Sequence, residues 1–131
     1  MRQGKGLRAK RTDTAAAEAA QRKAAIERDG IRCKFQRLSN GLWSRCLSGA
    51  TETCHIYRRN ECGKAIDHVD VVVRGCEHCH DLFDLRVLGK AVETARATVR
   101  VAPEDEERAY RRILEMSKSP PPRRYPNGAR I

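Results

Sequence analysis

The stretch Cys76-Glu77-His78-Cys79-His80-Asp81-Leu82-Phe83-Asp84 decides how this chain is read. Two cysteines separated by two residues form a knuckle that can chelate one zinc ion through two thiolates. His80 and Asp84 are four apart, so in a helix they share a face, and an imidazole nitrogen with a carboxylate oxygen can hold a divalent cation there. Leu82, Phe83, Leu85 and Leu88 follow helical spacing up to Gly89, which predicts a helix opened by the knuckle. Just upstream, Val71-Val72-Val73 is short and β-branched, which predicts a strand, and Gly75 breaks it.

A structural zinc site needs two more ligands. The remaining cysteines are Cys33, Cys46, Cys54 and Cys62. Cys33 and Cys46 are the chosen pair, with Cys54 and Cys62 as the rival. Ser39-Asn40-Gly41 is a turn signal between two short extended pieces, Cys33 to Phe35 and Leu42 to Cys46. Trp43 is expected to pack over the zinc loop, and His78 to face solvent. Residues 52–58, Glu-Thr-Cys-His-Ile-Tyr-Arg, have strand-like composition, and a polar loop follows from Arg59 to Asp70.

Outside this middle region the chain is basic. Residues 1–30 carry a net +4, residues 31–85 only +1, and residues 86–131 +5, which together give the formal +10. That balance points to a polyanionic partner, most simply nucleic acid. With 131 residues the chain suits one domain, and with only 5% aromatic residues the cysteines read as part of what holds it together. No apolar run approaches the ~20 residues of a membrane helix, and the N-terminus has no secretory h-region. The expectation is therefore a cytoplasmic protein, in a reducing compartment where cysteines bind metal more often than they pair.

The flanks divide the chain into a basic arm and helix over 1–28, a core over 29–90, and a basic helix with a Pro-rich tail over 91–131. Residues 1–12 are expected to be disordered. A light-packing helix is expected from Thr14 to Arg28, capped by Asp13 or Thr14 and stopped at Asp29-Gly30. Residues 96–101 alternate like a strand. Pro103 opens a second helix, with Glu104, Asp105, Glu106 and Glu107 in its first turn and Tyr110, Ile113, Leu114 and Met116 on its apolar face. Residues 118–131 are expected to be extended.

A strand holding His55, a polar loop, a β-branched strand and then CxxCH opening a helix form an ordered combination. It resembles the HNH endonuclease family, the ββα-metal fold. The resemblance spans about residues 28–88 and rests on Cys54-His55-Ile56, on Cys76-x2-Cys79-His80, and on the 25 residues from His55 to His80. Arg28-Asp29-Gly30-Ile31-Arg32-Cys33 is also similar to the family's lead-in to its first cysteine. The resemblance implies an α+β chain with a small zinc-stapled ββα core and a phage-type DNA endonuclease or nickase. His55 would be the general base. His80 and Asp84 would hold the catalytic ion (magnesium, manganese or nickel), and Cys76 and Cys79 the structural zinc.

Other residues are added to that site by their own chemistry. A carbonyl or carboxylate must fix which ring nitrogen of His55 is free, and Asp70 is the candidate. Arg58, Arg59 and Lys64 follow the base strand and can meet flanking phosphates. DNA is the expected partner, with a larger phage packaging or replication protein as a further one. Where the family usually carries Asp or His before the base, this chain has Cys54, a soft donor poorly matched to magnesium. The alternative reading is a non-catalytic zinc-binding module that holds DNA or a protein, with Cys54 as the mark of altered catalysis.

Overall fold

A computed structural model describes residues 2–84 and 98–117, with side chains from residue 14 onward. In chain order the elements are α1 (Arg2–Asp29), β1 (Phe35–Ser39), β2 (Leu42–Arg45), β3 (Glu52–His55), α2 (Arg59–Cys62), β4 (Val72–Gly75), α3 (Glu77–Phe83), β5 (Val99–Val101) and α4 (Pro103–Met116). The chain is α+β.

Asn40 and Gly41 take positive φ, 54° and 78°, the two-residue geometry whose twist matches that of the strands it joins. They connect β1 to β2 in antiparallel register, with Leu38 opposite Trp43. β5 adds to the other edge of β1, giving a sheet ordered β2-β1-β5. A second sheet pairs β3 with β4, Glu52 opposite Gly75 and His55 opposite Val72. All four residues of β4 are buried. At Gly75 a Cβ would collide with the Phe35 ring, so the two sheets meet where an aromatic ring lies against bare backbone. Phe35 also packs on Phe83 of α3, ring centroids 5.0 Å apart, which brings α3 onto the same core.

α1 begins at Arg2, ahead of the Asp13 or Thr14 cap and through the stretch expected to be disordered. Propagating an existing Ala-rich helix costs far less than nucleating one. It stops at Asp29, with Gly30 at φ 78°. Of its described side chains only Gln21 and Ala25 are fully buried, the light packing an Ala-rich face allows. What fastens it is polar. The Gln21 amide donates to the carbonyls of Ile66 (2.8 Å) and His68 (2.9 Å). Arg28 donates to those of Val69 (2.8 Å) and Val72 (2.6 Å). These carbonyls lie in the connection between β3 and β4 and at the first residue of β4, and α1 supplies their partners.

That connection is not the plain loop expected over 59–70. It holds α2 and two 3₁₀ turns, Gly63–Ala65 and Val69–Val71. α4 packs on both turns. Its first turn carries the acids as expected, but the buried face is Asp105, Glu106, Ala109 and Ile113. Leu114 is 49% exposed: at about 100° per residue Asp105, Glu106, Ala109 and Ile113 fill one stripe about 100° wide, and Leu114 falls beyond its edge. Tyr57 donates its hydroxyl to Glu106, and Asp105 meets Arg108 at 2.6 Å and Lys34 at 3.8 Å. The expectations for Leu85, Leu88, Gly89, residues 96–97 and the tail over 118–131 lie outside the described residues.

Candidate metal centre

The hairpin β1–β2 explains the twelve-residue gap between Cys33 and Cys46. The Cys46 N–H donates to the Phe35 carbonyl at 2.9 Å, so the two cysteines flank the open end of the hairpin. Cys76 precedes α3 and Cys79 lies in its first turn. The four sulfurs come within 4.8 Å of one another, with Cys46 and Cys76 at 4.0 Å. A tetrahedral zinc with Zn–S bonds of about 2.3 Å needs sulfurs about 3.8 Å apart, so the set fits a structural ion with little movement. Cys62, half of the rival pair, is elsewhere, its thiol donating to the Tyr57 carbonyl at 3.6 Å.

The thiols already share protons unevenly. A hydrogen bond from Cys79 pulls the Cys33 thiol below its ordinary range, and the same bond pushes Cys79 up. Burial raises Cys76. The Cys79 N–H points at the Cys76 sulfur (3.4 Å), and Arg37 donates to that of Cys79 (3.8 Å). The Arg37 Nε is buried without a partner among the described residues. Four thiolates around a dication carry a formal −2, and Arg37 is placed to offset part of it.

A second donor set lies one residue further along α3. Glu52, Cys54 and His80 offer an oxygen, a sulfur and a nitrogen within 4.8 Å of each other. His80 Nδ1 donates to Glu52, and Nε2 to Asp84 at 2.8 Å. The Asp84 carboxylate first, then Cys54, raise His80 well above the ordinary histidine range. Burial pushes the Cys54 thiol up, and His80 partly offsets it. A ring that donates at both nitrogens is an imidazolium, so an ion can enter only by displacing a proton. Mixed N, S and O donors suit borderline transition metals rather than magnesium.

His55 leaves β3 on the other face. Alternation sends Glu52 and Cys54 toward α3, and Thr53 and His55 toward α1. Its Nε2 lies 2.9 Å from the Ile66 carbonyl. A carbonyl only accepts, so Nε2 carries the hydrogen and Nδ1 of the neutral ring has a free lone pair. Burial lowers the His55 pKa, which favours that neutral form. Asp70 is not the orienting group. It pairs with Arg112 at 3.0 Å and lies 3.8 Å from Arg108 and 3.7 Å from His68, and the Ile66 carbonyl holds the position proposed for it.

His55 lines a cleft of about 290 Å³, together with Gln21 and Arg22 of α1, Thr53, Arg59 and Arg74. Arg59 meets Glu18 at 3.1 Å. Arg58 and Lys64 are exposed and do not line this cleft. His78 is exposed, and Trp43 is capped by the Arg100 guanidinium, 4.4 Å from its ring.

Sequence reasoning missed Glu52, Arg74 and Gln21. Glu52 carried a usable signal, since it shares a strand face with Cys54. Arg74 and Gln21 reach the cleft through contacts between β4 and α1 that no local pattern encodes. Among the described residues no helix is long and apolar enough to cross a membrane. Compared with protein families, curated proteins and solved structures, the chain matches none.

Proposed function

We propose that this chain is a metal-dependent DNA endonuclease or nickase of the HNH type, stapled by zinc on Cys33, Cys46, Cys76 and Cys79. The observation that carries the reading is His55. Its ring is held by a backbone carbonyl, it opens onto an arginine-lined cleft, and it sits one residue from an ion-capable donor set.

Phosphodiester hydrolysis needs a base, an anion seat and stabilisation of the leaving oxygen. His55 Nδ1 takes the proton from the attacking water. Arg22 and Arg59 face the substrate's negative charge from the cleft wall. A divalent ion on Glu52, Cys54 and His80, with Asp84 beside them, would supply Lewis-acid stabilisation of the phosphate and the departing oxygen. Among the described strands β3 is paired on one edge only, so a phosphate along its open edge is within reach of both faces. The +10 charge supplies affinity without sequence information, so binding falls steeply with salt.

The test is a supercoiled-plasmid assay with magnesium, manganese or nickel and a chelator control. Wild type is expected to nick in the presence of metal, manganese or nickel serving better than magnesium. His55→Ala is expected to lose at least about a hundredfold in rate while keeping zinc and duplex binding. A folded, zinc-loaded protein that cuts with none of the three ions overturns the proposal.

One observation favours the alternative, a zinc-stapled module that binds DNA or a protein without cutting it. His80 has both nitrogens engaged by carboxylates, a set that is satisfied without an ion. The same assay separates the two readings.

A further inference from the structure

Arg74 is only 8% exposed, and a buried guanidinium normally faces a carboxylate. Here only its backbone N–H meets one, Asp29 at 3.0 Å. The guanidinium itself donates to two neutral acceptors, Thr53 Oγ1 at 2.8 Å and the Ala50 carbonyl at 3.3 Å. Among the described residues its Nε has no partner, and no carboxylate lies within ion-pair distance of it. Two of the guanidinium's N–H groups are thus used, and the described residues supply no hydrogen-bond partner to the rest.

Arg74 also lines the cleft that holds His55. Thr53 is its cross-strand partner, and His55 lies two residues on along the same face, about 7 Å away. The cleft's two carboxylates are already engaged, Glu18 by Arg59 and Glu52 by His80. Arg22 stands at the rim with no ion pair among the described residues. An uncompensated cation in a partly desolvated recess attracts an anion strongly, and a planar fork matches a phosphate's paired oxygens.

We infer that Arg74 is a phosphate seat in this cleft, binding an oxyanion of a nucleic-acid backbone beside His55. The source of the phosphate rests on the function proposed above, and the seat itself rests on the geometry of Arg74.

The test measures binding rather than cleavage, on the full zinc-loaded chain. A short DNA duplex is titrated by fluorescence anisotropy at several salt concentrations. Arg74→Gln is expected to weaken binding about tenfold and to reduce the slope of log affinity against log salt by about 0.9. Arg74→Lys is expected to keep the slope and lose part of the affinity, because it keeps the charge without the fork. Unchanged affinity and slope in a folded, zinc-loaded Arg74→Gln protein overturn the seat. If that variant does not fold, the wild-type Arg74 Nε–H resonance serves instead: it must shift when inorganic phosphate or duplex is added, and an unmoved resonance overturns the inference. A shift with phosphate but not with duplex overturns the nucleic-acid source and assigns the seat to a free phosphate. A protein that binds through Arg74 yet never cleaves keeps the seat and loses the nuclease.

Discussion

Helix α3 feeds two donor clusters with opposite internal chemistry. Cys76 and Cys79 join Cys33 and Cys46 in a set of four like donors. Those sulfurs gain weak contacts from one another, from the Cys79 N–H and from Arg37, and an ion could answer their charge. One residue on, His80 joins Glu52 and Asp84 in a set whose members answer each other, acid to base to acid. The first cluster could hold a structural ion. The second is already satisfied by its own ion pairs, and an ion entering it would have to displace a proton. The two clusters thus differ in whether the metal-free donors are already satisfied.

The largest effect that can break this comparison is loss of the staple. Cys79→Ala is expected to lose zinc and to cost more than about 5 kcal/mol, the whole stability of a small domain. Near-UV circular dichroism with metal analysis checks it, and a strong chelator should reproduce it in wild type. A native near-UV spectrum from the zinc-free variant would mean that the four cysteines do not hold the fold.

Next in size is a tie that involves neither cluster. The side chain of Asp29 is 2% exposed and receives Arg28 at 2.6 Å and the Arg74 N–H at 3.0 Å. Burial opposes its charge, but these donors win and hold its pKa below the ordinary carboxylate value. Asp29→Asn is expected to cost about 1.5–3 kcal/mol at neutral pH. The unfolded carboxyl titrates near 3.9, so the contribution is complete above that value and fades as pH falls through the depressed folded value. Urea melts of wild type and variant should differ most at neutral pH and converge as pH falls below the depressed folded value. A gap that widens in acid contradicts the assignment.

Smaller still is the cost of opening the second cluster. Glu52→Gln removes one carboxylate from a half-buried pair, so stability should change by about 1 kcal/mol or less. Manganese or nickel binding by calorimetry should weaken by at least about tenfold, with zinc content unchanged. Zinc loss in this variant would show that the two clusters act as one.

The same contrast explains what could be read from the sequence. The four-cysteine cluster was legible because its members sit at a knuckle and at the two ends of a hairpin marked by Asn40-Gly41, all local signals. The strand at Val72, the helix after Cys76 and the one after Pro103 were legible for the same reason. Asp70 was misread because proximity in sequence to the second strand does not give direction: α4 claims its carboxylate through Arg112 and Arg108. Leu114 was misread because an apolar count along α4 ignored the buried acids Asp105 and Glu106, which face Arg108 and Tyr57. The cleft was invisible because α1 reaches it across more than forty residues of chain, by way of Gln21.

A comparably small effect at Cys62 decides between the two cysteine pairings. Cys62 is fully buried, and its thiol donates to the Tyr57 carbonyl at 3.6 Å, away from both donor sets. Serine is slightly smaller and keeps the donor, so Cys62→Ser should cost about 1 kcal/mol and leave zinc content as in wild type. Cys46→Ser, by contrast, should release the ion although Cys46 is the less buried of the two. Burial and metal binding therefore make opposite predictions for this pair. If Cys62→Ser lost zinc and Cys46→Ser kept it, the ion would belong to the rival pairing, and the hairpin would have no part in the staple.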